Sequence, residues 1–221
     1  QRYVKTSDIT ISVIPLGTGN DWVKTYNIPT SIKEAIEIIY KKNIITQDIG
    51  VLKTENTVTY FNNVAGLGYD GYVVSKLKSL KKFGGISYLI AGFYGMLFYK
   101  KSNFKIIINN KVIRIDCLMT VIGICKYSGG GMQFTEKIDT SSGLLNITIV
   151  KNFTFLNLII NLPKLYSGKI VNHKKVDTYK TNEITIIPKK SKPFIQADGE
   201  LIGTGNVNVI IIERAIQFVI R

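Results

Sequence analysis

The sequence predicts a short α/β segment followed by a longer β-rich, sandwich-like body, and three observations carry that expectation. An apolar, β-branched run from Ile9 to Ile14 stops at Pro15 and a glycine turn, as a buried strand does. One amphipathic helical period follows it. From residue 44 onward, short apolar runs recur with brief polar connections, the spacing of a sheet-based α+β body. The 221 residues suffice to bury a sizeable core, and 45% hydrophobic with 20% charged composition excludes a disordered or fibrous chain.

In chain order, Leu16-Gly17-Thr18-Gly19-Asn20-Asp21 is a turn cluster, and Asp21 to Tyr26 opens a short helix. Thr30 or Ser31 caps a second helix, with Ile32, Ala35, Ile36 and Ile39 on one face, Glu34 early and Lys41-Lys42 late. Strands are expected at 44–52, 57–64, 104–108, 111–115, 118–125, 144–150, 183–187, 194–197, 207–212 and 216–220. Asn109-Asn110 is a hairpin turn between two of them. Helices are expected at 71–80, 87–98 and 155–165. The composition shift near residue 43 divides the chain into 1–43 and 44–221, with the last strand or strands returning to the first part.

Charge points to anionic partners: 29 Lys plus Arg stand against 15 Asp plus Glu, a net +14. Between Lys76 and Arg114 lie nine basic residues and no acid, enclosing the aromatic-rich run Tyr88 to Tyr99. That run is about half of what a membrane-spanning helix needs. The arrangement fits a surface that rests on lipid head groups, and equally a core helix with solvated lysines at its ends. No RNP-like or helix-turn-helix pattern is present, so nucleic acid is not an expected partner. Two cysteines make no disulfide framework and no leader pattern opens the chain, so a cytoplasmic compartment is expected, peripheral to a membrane.

Four constellations carry possible chemistry. The glycines of Gly17-Thr18-Gly19-Asn20 let backbone approach a phosphate at a helix start, although many strand-to-helix turns look alike. Asp21 beside them reads as a metal-side acid or a helix cap. Asp48 is an acid inside an apolar strand, which requires a hydrogen-bonding partner, a metal or a perturbed pKa. Asp198-Gly199-Glu200 ends a strand in two acids around a turn glycine, and such a pair can divide metal binding from base catalysis. Gly129-Gly130-Gly131 marks a place where backbone bends or closely approaches another group.

Taken in order, PLGTGNDW, QDIG, YFNNVAGLGYDGYV, the triple glycine, SSGLLNITIV and IQADGE resemble the catalytic domain of the diacylglycerol kinase family, nearest to its bacterial soluble lipid kinases. The resemblance runs along essentially the whole chain. It implies that residues 1–43 are the C-terminal part of an α/β nucleotide-binding domain and 44–221 a β-rich lipid-kinase domain. It implies ATP contacts at Gly17, Thr18, Gly19 and Asn20, and a water-mediated Mg²⁺ network at Asp21 and Asp48. Asp198 and Glu200 match the catalytic acids, Glu200 as general base on a lipid hydroxyl. A structural Mg²⁺ site is implied near Asp139 and Leu144, where Ser142 replaces the family's Asp and supplies a poorer ligand. The family's Gly-Gly-Asp-Gly-Thr loop has no counterpart here, so the chain is expected to be an incomplete kinase that is inactive alone. The expected partners are ATP and a lipid substrate, diacylglycerol first, at an anionic membrane surface, with a homodimer a further possibility. The reading from another class is a non-catalytic lipid- or anion-binding module.

Overall fold

The computed structural model describes residues 9–17, 19–80, 87–135 and 137–221, without the side chains of 77–80, 87–91 and 94. Strand β1 (Thr10–Ile11) leads to helices α1 (Asp21–Thr25) and α2 (Ile32–Lys41). Ser31 caps α2, its hydroxyl accepting from the Glu34 N–H, and the helix buries Ala35 and Ile38. Then come β2 (Asn43–Lys53), β3 (Val58–Phe61), β4 (Val64–Gly68), α3 (Tyr69–Leu80) and α4 (Ser87–Phe98). The hairpin β5 (Ser102–Ile108) and β6 (Lys111–Cys117) turns at Asn109 and Asn110, whose φ values of 48° and 60° explain the two asparagines. It is followed by β7 (Met119–Gly123), β8 (Tyr127–Ser128), β9 (Met132–Gln133), β10 (Leu145–Val150) and α5 (Phe155–Ser167). The chain ends in β11 (Val176–Thr181), β12 (Glu183–Pro188), β13 (Phe194–Ala197), β14 (Glu200–Thr204) and β15 (Val207–Ile220).

Two sheets face each other. One runs β3-β2-β15-β12-β5-β6 and the other β11-β10-β7-β4-β13-β14. Between them lies the main core, with Leu52, Phe104, Ile106, Ile184 and Val209 from the first sheet and Leu67, Ile122, Ile147 and Ile195 from the second. Strands β4, β7 and β10 are buried along their whole length because α3 and α5 cover the second sheet's outer side. Their runs are therefore continuously apolar, whereas Ser102–Ile108 alternates buried and half-buried residues.

Several expected elements change in detail. The run 57–64 is two strands in different sheets, broken at Asn62-Asn63. The last two runs are one strand, β15, with a register shift between Ile212 and Ile216, where Arg214 has φ 46°. Beyond that shift Gln217 and Phe218 pair in parallel with β1. Only Thr10–Ile11 of the run 9–14 is a strand, since β15 is the neighbour it pairs with and Pro15 follows. Strands β11 and β14 carry too many polar residues to read as strands from pattern alone.

Candidate active site

The Gly17–Asn20 turn delivers Asp21 to the edge of a polar cleft. The Asn20 side-chain amide donates to the Gly17 carbonyl at 2.7 Å, closing the turn on itself. A Cβ added at Gly17 or Gly19 would meet no atom within 4 Å, so the chain's own packing does not demand glycine at either position. Thr18 lies outside the described residues. All three glycines of 129–131 have positive φ (60°, 88° and 105°), and the Gly130 N–H donates to Asp21 Oδ2 at 2.8 Å. The close approach expected of that motif is thus to Asp21. The other oxygen, Asp21 Oδ1, is buried and accepts no hydrogen bond from a described residue; the Lys24 ammonium stands 3.5 Å away.

Asp198 faces the same cleft with φ 48°. Its carboxylate accepts from three successive backbone N–H groups, Asn62 at 2.8 Å, Asn63 at 3.0 Å and Val64 at 2.9 Å. It therefore pins the corner where the chain crosses from one sheet to the other. Burial raises its pKa, and the three N–H bonds oppose that rise. Asn63 donates to the Tyr127 carbonyl, while its own Oδ1 is buried without a donor. Gln47, fully buried on β2, ties this corner to α1: it accepts from Trp22 Nε1 at 3.0 Å and from the Tyr26 hydroxyl, and donates to the Asn62 carbonyl at 2.6 Å.

Asp70, in the first turn of α3, is a cleft residue the sequence reading passed over. Gln196 Nε2 donates to its Oδ2 at 2.6 Å, and the Gly199 N–H holds the Gln196 Oε1 at 3.0 Å. Burial pushes the Asp70 pKa up to about 6, with the Gln196 bond pulling the other way. The available signal was an acid two residues after the wholly buried run Val64–Gly68, past the buried Tyr69.

The structure does not bring every expected residue to this cleft. Asp48 is buried elsewhere: Oδ2 accepts from Gly143 N–H and Oδ1 from Arg214 N–H, both at 2.7 Å, and its own N–H donates to the Thr140 carbonyl. The Asp139 carboxylate accepts from the Ser141 N–H and hydroxyl, and the Ser142 hydroxyl donates to the Asp139 carbonyl. Glu200 is exposed at the start of β14, opposite Ala197. Among the described residues no three His, Cys, Asp or Glu side chains gather as a metal site. Cys117 and Cys125 are buried free thiols.

A second, apolar cavity adjoins the polar cleft. It leaves about 80 Å³ of internal space beneath α4 and α5, bounded by residues such as Phe93, Met119, Phe153, Leu158 and Leu162. Asp70, Ser128 and Gly129 line both spaces.

Comparison with known proteins shows which families the chain resembles. Residues 63–220 match the family described as the YegS C-terminal NAD kinase beta sandwich-like domain, and residues 2–52 match the diacylglycerol kinase catalytic domain. A diacylglycerol kinase of Mycobacterium tuberculosis is 26% identical over 184 residues, covering 81% of this chain and 60% of its own length. One from Staphylococcus haemolyticus is 25% identical over 211 residues, covering 94% and 62%. The chain thus spans about 60% of the length of these curated relatives. The crystal structure of a diacylglycerol kinase from Bacillus anthracis superimposes with a TM-score of 0.71 at 19% identity, over 96% of this chain and 67% of that one, a likeness of fold.

Proposed function

Because the chain belongs to the family of diacylglycerol kinases and YegS-like lipid kinases, we propose that the protein carrying it transfers the γ-phosphoryl group of ATP to the hydroxyl of a lipid alcohol. The observation that carries this reading is the junction of two unlike spaces. A cleft with two buried oxygens that accept no hydrogen bond from a described residue, Asn63 Oδ1 and Asp21 Oδ1, the latter with the Lys24 ammonium at 3.5 Å, adjoins an apolar cavity. Phosphoryl transfer to a lipid needs both: a polar seat for phosphate and metal, and an apolar one for the chain.

In this reading the Gly17–Asn20 turn receives the phosphates, which gives its glycines the purpose that packing does not. Asp21 suits Mg²⁺, since one oxygen is fixed by Gly130 and the other lacks a hydrogen-bond donor. Mg²⁺ commonly takes one or two carboxylates plus substrate phosphates and waters, so a three-acid cluster is not required. When bound, it neutralises charge on the phosphates. The lipid hydroxyl oxygen attacks the γ-phosphorus, the bond to the β-phosphate oxygen breaks, and Glu200 takes the hydroxyl proton. Asp198 shapes the corner around them. The test is formation of labelled lipid phosphate from labelled ATP and lipid alcohols, diacylglycerol first.

We further propose that α4 and α5 rest on an anionic lipid surface. The apolar cavity lies beneath these two helices, bounded by Phe93 of α4 and by Leu158 and Leu162 of α5. The exterior continues the apolar character: Leu97, Phe98, Phe155, Leu156, Ile159 and Ile160 are exposed, and the Phe93 and Phe155 rings meet edge-on across the two helices. Lysines border this face. Lys101 donates to Asn152, Lys175 donates to Asn157 at 2.7 Å, and Lys164, Lys174 and Lys175 gather around His173, whose pKa burial and these charges lower. The expected basic stretch is otherwise divided: Lys105 and Arg114 pair across the β5–β6 hairpin, while Lys81 and Lys82 lie outside the described residues. No helix among the described residues is long and apolar enough to cross a membrane. Sedimentation with anionic vesicles should fall as salt rises, because each surface lysine contributes about 1 kcal/mol and screening acts over about 10 Å. Leu156→Asp with Ile160→Asp should weaken it at every salt concentration. Binding indifferent to both changes means that this face points away from the lipid.

A further inference from the structure

Resting on the lipid-kinase reading, we propose that Asp70 reads the acceptor's headgroup. Its carboxylate accepts a hydrogen bond from a second free hydroxyl beside the reacting one. The preferred acceptors are then lipid diols, such as monoacylglycerols, over diacylglycerols, whose single free hydroxyl is the reacting one.

Position comes first. Asp70, Ser128 and Gly129 line both the apolar cavity and the polar cleft, so a lipid whose chain enters the cavity presents its headgroup beside Asp70. Orientation follows. The carboxylate lies over Gly66, where an added Cβ would stand 1.8 Å from Oδ2, and Gln196 holds the same oxygen at 2.6 Å. Gln196 is itself buried and anchored by the Gly199 N–H. Two fixed neighbours therefore set one oxygen, and that rigidity suits recognition.

Charge supplies the chemistry. Among the described residues no Lys, Arg or His lines either space, so none of them sets a cation against the carboxylate there. A desolvated carboxylate needs donors. A free hydroxyl donates, whereas an ester carbonyl only accepts and sets oxygen against oxygen. The first turn of α3 favours a negative charge at Asp70, but that field does not call for contact with Gln196 or a place at the neck between two spaces.

The test compares ligands that differ by one donor. Wild-type protein is titrated with a short-chain 1-monoacylglycerol and with its two monomethyl ethers, each keeping one free hydroxyl. The diol should bind about tenfold or more tightly than the weaker ether, the scale of a hydrogen bond to a charged group. In Asp70→Ala that preference should shrink to within about twofold, with Asp70→Asn intermediate because a neutral oxygen accepts more weakly. A purely structural Asp70 would lower all three affinities together, and Asp70→Asn, which keeps the shape, decides the matter should the alanine variant not fold. Equal wild-type binding of diol and ethers, or a preference that survives both substitutions, overturns the role of Asp70 and leaves the lipid-kinase reading standing. Binding of none of the three overturns both.

Discussion

In the protein that carries this chain, Glu200→Gln should lower kcat by roughly two to four orders of magnitude and leave lipid and ATP affinities within about twofold. The amide keeps the shape of the side chain but cannot take a proton. Glu200 is exposed at the start of β14, so replacing it removes no buried contact. The corner that presents it is held from another residue: Asp198, two positions earlier, grips the N–H groups of Asn62, Asn63 and Val64. The melting temperature should therefore not move, and initial rates alone should fall. Wild-type turnover in this variant removes Glu200 from the mechanism.

The largest expected loss of stability belongs to Asp48→Ala, about 2–4 kcal/mol. This substitution leaves the Gly143 and Arg214 N–H groups without the acceptor that each now has at 2.7 Å. For a chain of this length the melting temperature should drop by about 5–15 °C. The loss has a structural address. Asp48 joins three segments remote in sequence: β2, the 139–143 loop and the irregular point of β15 where Arg214 takes a positive φ. Family resemblance also gives Asp48 a place in a metal network. Thermal melts with activity assays separate the two roles, because a metal role predicts lost transfer at unchanged melting temperature.

Asp48 and Asp198 show what a sequence discloses. Asp48 was conspicuous, since a carboxylate inside an apolar strand must be satisfied somehow, but its partners are two backbone N–H groups from distant loops. Pattern along one strand cannot name them. Asp198-Gly199 read correctly as a turn, with φ of 48° and 81°, yet its grip on the Asn62–Val64 corner depends on two sheets meeting there. The same crossing hid the break in 57–64, because Asn62 and Asn63 interrupt a run that is otherwise strand-like. The triple glycine announced a close approach without saying to what, and the answer is Asp21. Asp70 went unread for a different reason. An acid in the first turn of a helix is unremarkable by pattern, and its interest lies in Gln196 and in the two spaces it borders, both set by tertiary packing. Likewise α5 was legible as a helix. Its exposed Leu156 and Ile160 became notable only once Leu158, Leu162 and Leu165 were seen to line the cavity beneath.

The central claim is that one polar cleft, bearing Asp21 and Asp198, with Glu200 next in the chain to its lining residue Gly199, serves phosphoryl transfer to a lipid whose chain enters the adjoining cavity. The most direct measurement incubates the protein that carries this chain with γ-labelled ATP, Mg²⁺ and a panel of lipid alcohols in mixed micelles, beside its Glu200→Gln variant. The account predicts labelled lipid phosphate from at least one alcohol and its near-complete loss in the variant. Lipid binding by the folded protein with no labelled product from any alcohol would contradict it, and would leave a module that binds lipid without catalysis.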